Sequence, residues 1–481
     1  MTVRHGSVEK FHDDELIVAI PQLSVVREEL QDFGVEIGDR GIEENGVLGL
    51  ARLSELKGIE KAVRKLERDR SVGQEIKAYR KLRHEAHPDA PPVSDLALLI
   101  YGVKLRLARR YPGWQIAIGK NYRPSLVRGN PHTDGTGRPK PHTDGAGHPL
   151  PHTDPHTDGA GTPASAHSGF TGPILRPGPH TDGAGHPLPH TDPHTDGEGR
   201  PTTTGAIDPE VGDRELGRGV RVGLVDTKLF PHESLTGRYV GRAADILSPA
   251  QPVFTEFDGH CTFVASCILQ QAPAATLYLR HVLDHRGDGT VWEAAAGIAE
   301  LISLDLDVVN LSFGEYMTDD DSAPMVLDAA IRRFGRDTVV VAAAGNNGDV
   351  NGSRPSDVPA GVTPSTTSYP AALPEVVGVG AIDADNKRAP FTPDPAPWIS
   401  LLARGTDLNA AYLRGEVRLP GQSQTTRFDG IANWAGCSFA AGVVTGVIAA
   451  RTEPGRQSAR QALDELMGSL RYEPAPGLLI N

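Results

Sequence analysis

AGCSFAAG, residues 435–442, joins a polar loop to the apolar run VVTGVIAA at 443–450, and the reading of Ser438 within it decides the fold. A small polar residue ahead of an apolar run ordinarily marks a helix start, where its oxygen accepts a hydrogen bond from an exposed amide of the first turn. A nucleophilic serine needs more: a base to take its proton, a group to orient that base, and donors for the oxyanion that forms. Those parts have to come from elsewhere in the chain.

Three other stretches are ordinary when taken singly. RVGLVDT, 221–227, is an apolar strand ending in Asp226, which alone reads as a turn or cap residue. FDGHCTFVASCIL, 257–269, places His260 just before a helical apolar run, where a histidine is more often structural than catalytic. VVVAAAGNNGD, 339–349, is a buried strand emptying into a glycine and asparagine turn. Around them the strand-like runs RVGLVD, TLYLRHVL, DVVNLSF, TVVVAAAG and VVGVGAI alternate with the helical stretches TVWEAAAGIAELISL and APMVLDAAIRRFG. Such alternation predicts an α/β domain, a mostly parallel sheet with helices on both faces. Sites in such folds lie at the carboxyl ends of the strands.

Taken in order, Asp226 at a strand end, His260 at a helix start, the AAAGNN turn with Asn346, and GCSFAAG with Ser438 resemble the subtilisin-like serine proteases, the subtilase family (peptidase family S8). The resemblance covers roughly residues 215–470, and SYPAALPEVVGVGAIDADNKRAPF at 368–391 looks like that family's segment between oxyanion turn and nucleophile. The order Asp, His, Ser separates the chain from α/β-hydrolases, whose G-x-S-x-G serine comes first. It also separates it from chymotrypsin-like enzymes, whose histidine comes first. A related acid-acting family uses glutamate as base, and no such replacement is visible at His260.

The resemblance implies a serine endopeptidase acting on protein or peptide substrates through an acyl-enzyme, without a cofactor. In it Ser438 attacks, His260 is the base, Asp226 orients the imidazole, and Asn346 with the Ser438 N–H holds the oxyanion. Ser438 would also open a helix, so both readings of it are compatible. NLSFG at 310–314 resembles the edge that pairs with an extended peptide, with Ser312, Phe313 and Gly314 lining the pocket for the side chain before the cut bond. The alternative is a catalytically inactive subtilase fold that binds peptides. A third reading makes a histidine tract the functional element.

The chain departs from the family pattern at several points. Cys261 stands where H-G-T has glycine, Cys437 where G-T-S-M-A-x-P has threonine, and Gly442 where that motif has proline. Asp226 is followed by Thr227 and Lys228. Two thiols beside two site residues raise a redox hypothesis, against which stands burial of inert thiols. The stretch from His260 to Pro273 is short and lacks an acidic loop, so no tight calcium site is expected there.

Residues 1–72 read as a small α+β module: DELIVAI as strand, SVVREELQDFG as helix, a strand region around NGVLGLARL, and ELKGIEKAVRKLERDR as helix. Its architecture is similar to the family's propeptides, with an adaptor or substrate-recruiting domain as the other reading. A helical and strand extension, 73–128, follows; DLALLIYGVKLRLARRY is its helix and WQIAIG its strand. In 129–205 the segment PHTDGAGHPLPHTDPHTDG occurs twice, at 141–159 and 179–197, and large apolar residues are nearly absent. That composition predicts a disordered linker, the natural place for processing. Its histidines, among them His142, His148, His152, His156, His180, His186, His190 and His194, could collect zinc, copper or nickel only loosely. The peptidase domain is assigned to 206–481.

Forty-eight basic against 61 acidic side chains leave a net charge of −13, which argues against nucleic acid or anionic membrane as partner. The amino terminus lacks the pattern of a secretory signal, and no apolar run approaches the roughly 20 residues needed to span a bilayer. Three cysteines, Cys261, Cys267 and Cys437, do not make a disulfide framework. A cytoplasmic protein is expected on these grounds.

Overall fold

The five apolar runs read as strands become neighbours in one sheet, because strands buried on both faces are stable only where helices cover both. The structure, a computed structural model, describes residues 11–86, 92–122, 125–126, 174–175, 201–208, 213–317, 324–349, 362–420 and 422–469. The repeats of the 129–205 segment and all its histidines lie outside the described residues.

The main sheet has eight strands, in the order Ile174–Leu175, Ile399–Arg404, Val376–Ile382, Val339–Ala343, Val308–Leu311, Arg221–Asp226, Thr276–His281 and Tyr239–Val240. Each pairing is parallel. From Arg221–Asp226 the chain first builds toward Thr276–His281 and then turns to the other side with Val308–Leu311. The boundary between those two directions is the switch point of the sheet, where parallel folds leave a crevice beyond the strand ends. Asp226 and Ser312 border it.

Helices cover both faces of this sheet. The helix Cys437–Arg451 lies along the central strands and against the helix His260–Gln271, while Val291–Leu301 and Met325–Ile331 pack together elsewhere on the sheet. Gly442 and Gly446, one turn apart, face the His260 helix. A Cβ on Gly442 would stand 3.3 Å from the Val264 carbonyl oxygen and from Cys267 Cβ, and one on Gly446 only 2.5 Å from the Ile268 carbonyl oxygen. The missing side chains let the two helices approach closely, which gives Gly442 a packing reason to stand where proline was expected.

Residues 11–122 form an antiparallel sheet in the order Ile42–Asn45, Leu50–Leu53, Phe11–Ala19, Ile118–Tyr122. The helices Leu23–Phe33, Ile59–Leu66, Gly73–Ala86 and Asp95–Arg110 accompany it. The extension assigned to 73–128 therefore supplies a strand and two helices to the sheet and core begun by residues 1–72. Side chains of a strand alternate between faces. Leu16 and Val18 enter this module's own core, whereas Ile17, Leu48, Leu50 and Tyr122 join the core of the large sheet. Asn121 reinforces the contact, its Oδ1 accepting from the Trp292 N–H at 3.1 Å where the helix Val291–Leu301 begins.

Two smaller sheets complete the described chain. The hairpin Leu408–Arg418 and Thr426–Trp434 is flanked by Phe254–Thr255 and Thr202–Thr203. The strand Phe313–Met317 pairs antiparallel with Thr367–Tyr369 and, at its other end, with Ser125–Leu126. Among the described residues no helix is long and apolar enough to cross a membrane.

Candidate active site

Asp226 ends the strand at the switch point, and the following residue fixes its carboxylate. The Thr227 N–H donates to Asp226 Oδ1 at 2.6 Å, while the Thr227 hydroxyl donates to the Phe257 carbonyl and accepts from the Cys261 N–H. Thr227 thus ties the strand end to the start of the His260 helix, with buried hydrogen bonds worth about 1 kcal/mol each. Thr262 makes a second tie, accepting from the Phe230 N–H and donating to its carbonyl.

His260 begins its helix directly after Gly259, where a side chain cannot fit: a Cβ there would fall 2.1 Å from the Tyr412 ring. The imidazole Nδ1 lies 2.8 and 3.0 Å from the two Asp226 oxygens. Both side chains are buried. A buried carboxylate at Nδ1 favours the tautomer with the proton on that nitrogen, leaving the Nε2 lone pair as a base. Trp434 and Phe439 hold the ring from the other sides, with centroids 5.7 and 5.4 Å away.

Ser438 differs from the cap expected of it. The helix is Cys437–Arg451 and its N-cap is Gly436, with no side-chain cap bond, so Ser438 sits inside the first turn. Its hydroxyl donates to the Ser312 carbonyl at 3.1 Å. Among the described residues, no hydrogen bond joins it to His260. Phe439, the next residue, packs on the imidazole, and rotation about a single serine χ1 separates the observed bond from other staggered directions. Such contacts are often unmade before substrate arrives.

The strand bearing Ser312 is locked to the Ser438 helix. The Ser312 hydroxyl lies 2.8 Å from Asn310 Oδ1 and 3.0 Å from the Ser438 carbonyl, and Asn310 Nδ2 donates to Thr445 Oγ1. Asn346 caps the helix from outside: its Oδ1 accepts from the Cys437 N–H at 3.0 Å. That bond fixes the carboxamide orientation and turns Nδ2 away from the helix end. The Asn346 N–H in turn donates to the Tyr316 hydroxyl at 3.0 Å.

Ser312 and Gly314 share one face of their segment, and Phe313 points to the other, where its ring is fully buried in the core. Phe313 and Gly314 instead use their backbones, pairing with Leu126 and Ser125 of the chain's own amino-terminal part. Residues 125–126 therefore occupy the edge that the sequence assigns to an extended peptide.

The three cysteines are buried and unpaired with one another. Burial pushes the Cys437 thiol up to about 12 and the Cys261 thiol well above its ordinary value. Neither is a thiolate near neutral pH, so the geometry favours inert packing over the redox hypothesis. Among the described residues one group, His12, Asp14 and Glu15, brings metal-ligand atoms within 4.8 Å of one another, far along the chain from the site. Asn121 Nδ2 already donates to Glu15 Oε2, and Arg52 lies 3.8 Å from it.

The profile of the subtilase family matches residues 217–464. The thermostable alkaline protease of Halalkalibacterium halodurans is 32% identical over 221 residues, 44% of this chain and 54% of that protein. Subtilisin DY of Bacillus licheniformis is 31% identical over 207 residues, 41% of this chain and 68% of that protein. The chain thus spans about half the length of the alkaline protease. Among solved structures, a cold adapted subtilisin-like serine proteinase matches 56% of this chain and 87% of its own, with 21% identity and a TM-score of 0.40.

Proposed function

Because the chain belongs to the subtilase family, we propose that it is a serine endopeptidase, with Asp226, His260 and Ser438 as its triad and its amino-terminal region as its regulator. The observation that carries this reading is the buried Asp226–His260 pair at the switch point of the sheet, beside the first turn of the Ser438 helix. In the proposed reaction the Ser438 hydroxyl leaves the Ser312 carbonyl and gives its proton to His260 Nε2 as Oγ bonds the substrate carbonyl carbon. The oxyanion is held by Asn346 Nδ2 and the Ser438 N–H. The imidazolium, stabilised by Asp226, returns the proton to the departing amine. Water then repeats the sequence on the acyl-enzyme.

Regulation is proposed from the pairing of residues 125–126 with Phe313–Gly314. A strand of the chain's own lying on the peptide edge excludes a substrate strand, and the shared core of the two parts holds it there. Processing would relieve this block. The linker that the sequence favours for such processing lies outside the described residues.

The resting bond from Ser438 to the Ser312 carbonyl is what an inactive peptide binder would also have. One experiment separates the two. Wild type and Ser438→Ala are treated with a fluorophosphonate probe, the adduct is mapped, and peptide cleavage is profiled. Label on Ser438 and cleavage lost in the variant are expected; an unlabelled wild type that still binds peptide would establish the inactive reading.

A further inference from the structure

The endopeptidase reading leaves open which side chain precedes the cut bond, and the inference below rests on that reading. Two buried polar atoms, Ser368 Oγ and Asn347 Oδ1, have no hydrogen-bond partner among the described residues. Both residues are fully buried. The Asn347 amide is not free to turn, because its Nδ2 donates to the Thr363 and Thr366 carbonyls at 2.6 and 3.2 Å. The atom left over is therefore an acceptor. Ser368 supplies a hydroxyl that can donate or accept.

These groups converge on Gly345, beside Asn346. A Cβ on Gly345 would stand 2.7 Å from Asn347 Oδ1, 3.2 Å from Tyr316 Cε1 and 3.5 Å from Ser368 Cβ, and the residue's φ of +113° is itself one that favours glycine. Leaving a buried donor or acceptor unsatisfied costs about 1–3 kcal/mol, so two together mark a place built for a partner.

Strand parity connects that place to the peptide edge. Cross-strand partners share a face. Tyr316 pairs with Ser368 and Glu315 with Tyr369, so Ser312, Gly314, Tyr316 and Ser368 share one face while Phe313 and Glu315 share the other. A peptide laid along Phe313–Gly314 sends alternate side chains to the Ser368 face. The residue opposite Ser312, whose carbonyl holds the Ser438 hydroxyl, is among them, and its own carbonyl is the one beside Ser438 and Asn346. The only acidic residue of the Phe313–Met317 strand, Glu315, is on the wrong face to attract a cation there.

We propose that this floor selects a carboxamide side chain, asparagine or glutamine, before the scissile bond, with Ser368 and Asn347 as specificity-determining residues. The substrate amide donates to Asn347 Oδ1, and its carbonyl accepts from the Ser368 hydroxyl. Methionine, near glutamine in size, leaves both atoms unpaired, and glutamate turns a carboxylate oxygen toward an acceptor. A site built to hydrogen-bond a substrate group rejects analogues lacking it far more strongly than an apolar pocket discriminates by size.

The test uses the full-length chain and peptides that differ only in Gln, Asn, Met, Leu, Glu or Lys before a fluorogenic amide. Wild type is expected to cleave after Gln or Asn with kcat/KM at least about tenfold above Met, Leu and Glu. Ser368→Ala should bring the better carboxamide to within a few-fold of Met while fluorophosphonate labelling keeps its rate, and Ser368→Thr, which retains a hydroxyl, should keep the preference. Equal cleavage after Met, Leu and the carboxamides by wild type overturns the proposal, as does an unchanged preference in Ser368→Ala. Failure of wild type to take up the fluorophosphonate refutes the endopeptidase reading itself, a distinguishable result.

Discussion

Gly446→Ala and Gly442→Ala should change stability in opposite directions, although they add the same methyl one turn apart in one helix. In each, replacing a helical glycine contributes about 1 kcal/mol of propensity. At Gly446 the new Cβ meets the Ile268 carbonyl at 2.5 Å and Gln271 Cβ at 2.7 Å, well inside the 3.4 Å where ordinary contact begins. Backbone cannot rotate aside as a side-chain tip can. The helices must part, and overpacking of this kind costs about 1–3 kcal/mol, toward the upper end here. The net expectation is a loss of about 1–2 kcal/mol for Gly446→Ala. At Gly442 the nearest atoms are at 3.3 Å, so a small adjustment suffices and the propensity gain is largely kept. Urea unfolding at neutral pH measures both, and fluorophosphonate labelling reports whether parting the helices separates Ser438 from His260. Equal stability of the two variants would refute the close-approach argument.

Three further outcomes follow from other parts of the molecule. Leu126→Pro removes a backbone donor from the strand on Phe313, so the block on the peptide edge should weaken and fluorophosphonate labelling of the intact chain should accelerate several-fold. Peroxide or iodoacetamide near pH 7 should leave labelling within about twofold, because burial keeps Cys261 and Cys437 protonated; loss of activity tracking modification of either would contradict this. Burial alone would raise the Asp245 carboxyl, but hydrogen bonds from the Arg242 guanidinium and from the His281 and Arg242 N–H groups outweigh it and hold the group at about 2. Its folded value is therefore depressed, and its stabilisation is present above the ordinary carboxyl value of 3.8 and lost as pH falls toward about 2. Asp245→Asn should flatten that part of the acid-unfolding curve.

The peptidase part was legible because its chemistry constrains residue identity. RVGLVD, DVVNLSF and VVVAAAG become adjacent strands, and the residues following them, Thr227, Ser312 and Asn346, all contact the site. The cap at Ser438 was misread, since Gly436 takes that place and the Asn346 carboxamide reaches the helix end from a distant turn. No local pattern announces a cap supplied from 91 positions away. WQIAIG was read as strand too early; the Gln22 side chain bonds the Gln115 carbonyl and the Ala117 N–H, and the strand runs from Ile118 to Tyr122. The helix expected from Glu55 begins only at Ile59, because Gly58 takes a positive φ of 87° ahead of it. Ser368 and Asn347 gave no signal, because an unsatisfied atom is a property of packing. A signal was present in LIVAI, 16–20: an uninterrupted apolar run in an antiparallel strand means that both faces are covered, and Ile17 is indeed buried opposite Leu16 and Val18.

That double burial bears on what scission of the chain can achieve. Cutting one peptide bond leaves Ile17, Leu48, Leu50 and Tyr122 where they are, within the same apolar mass as the large sheet. The nicked molecule is then a noncovalent pair of fragments, and freeing the smaller one requires wetting that whole surface. Departure of the fragment, not hydrolysis, would set the clock for access to the cleft.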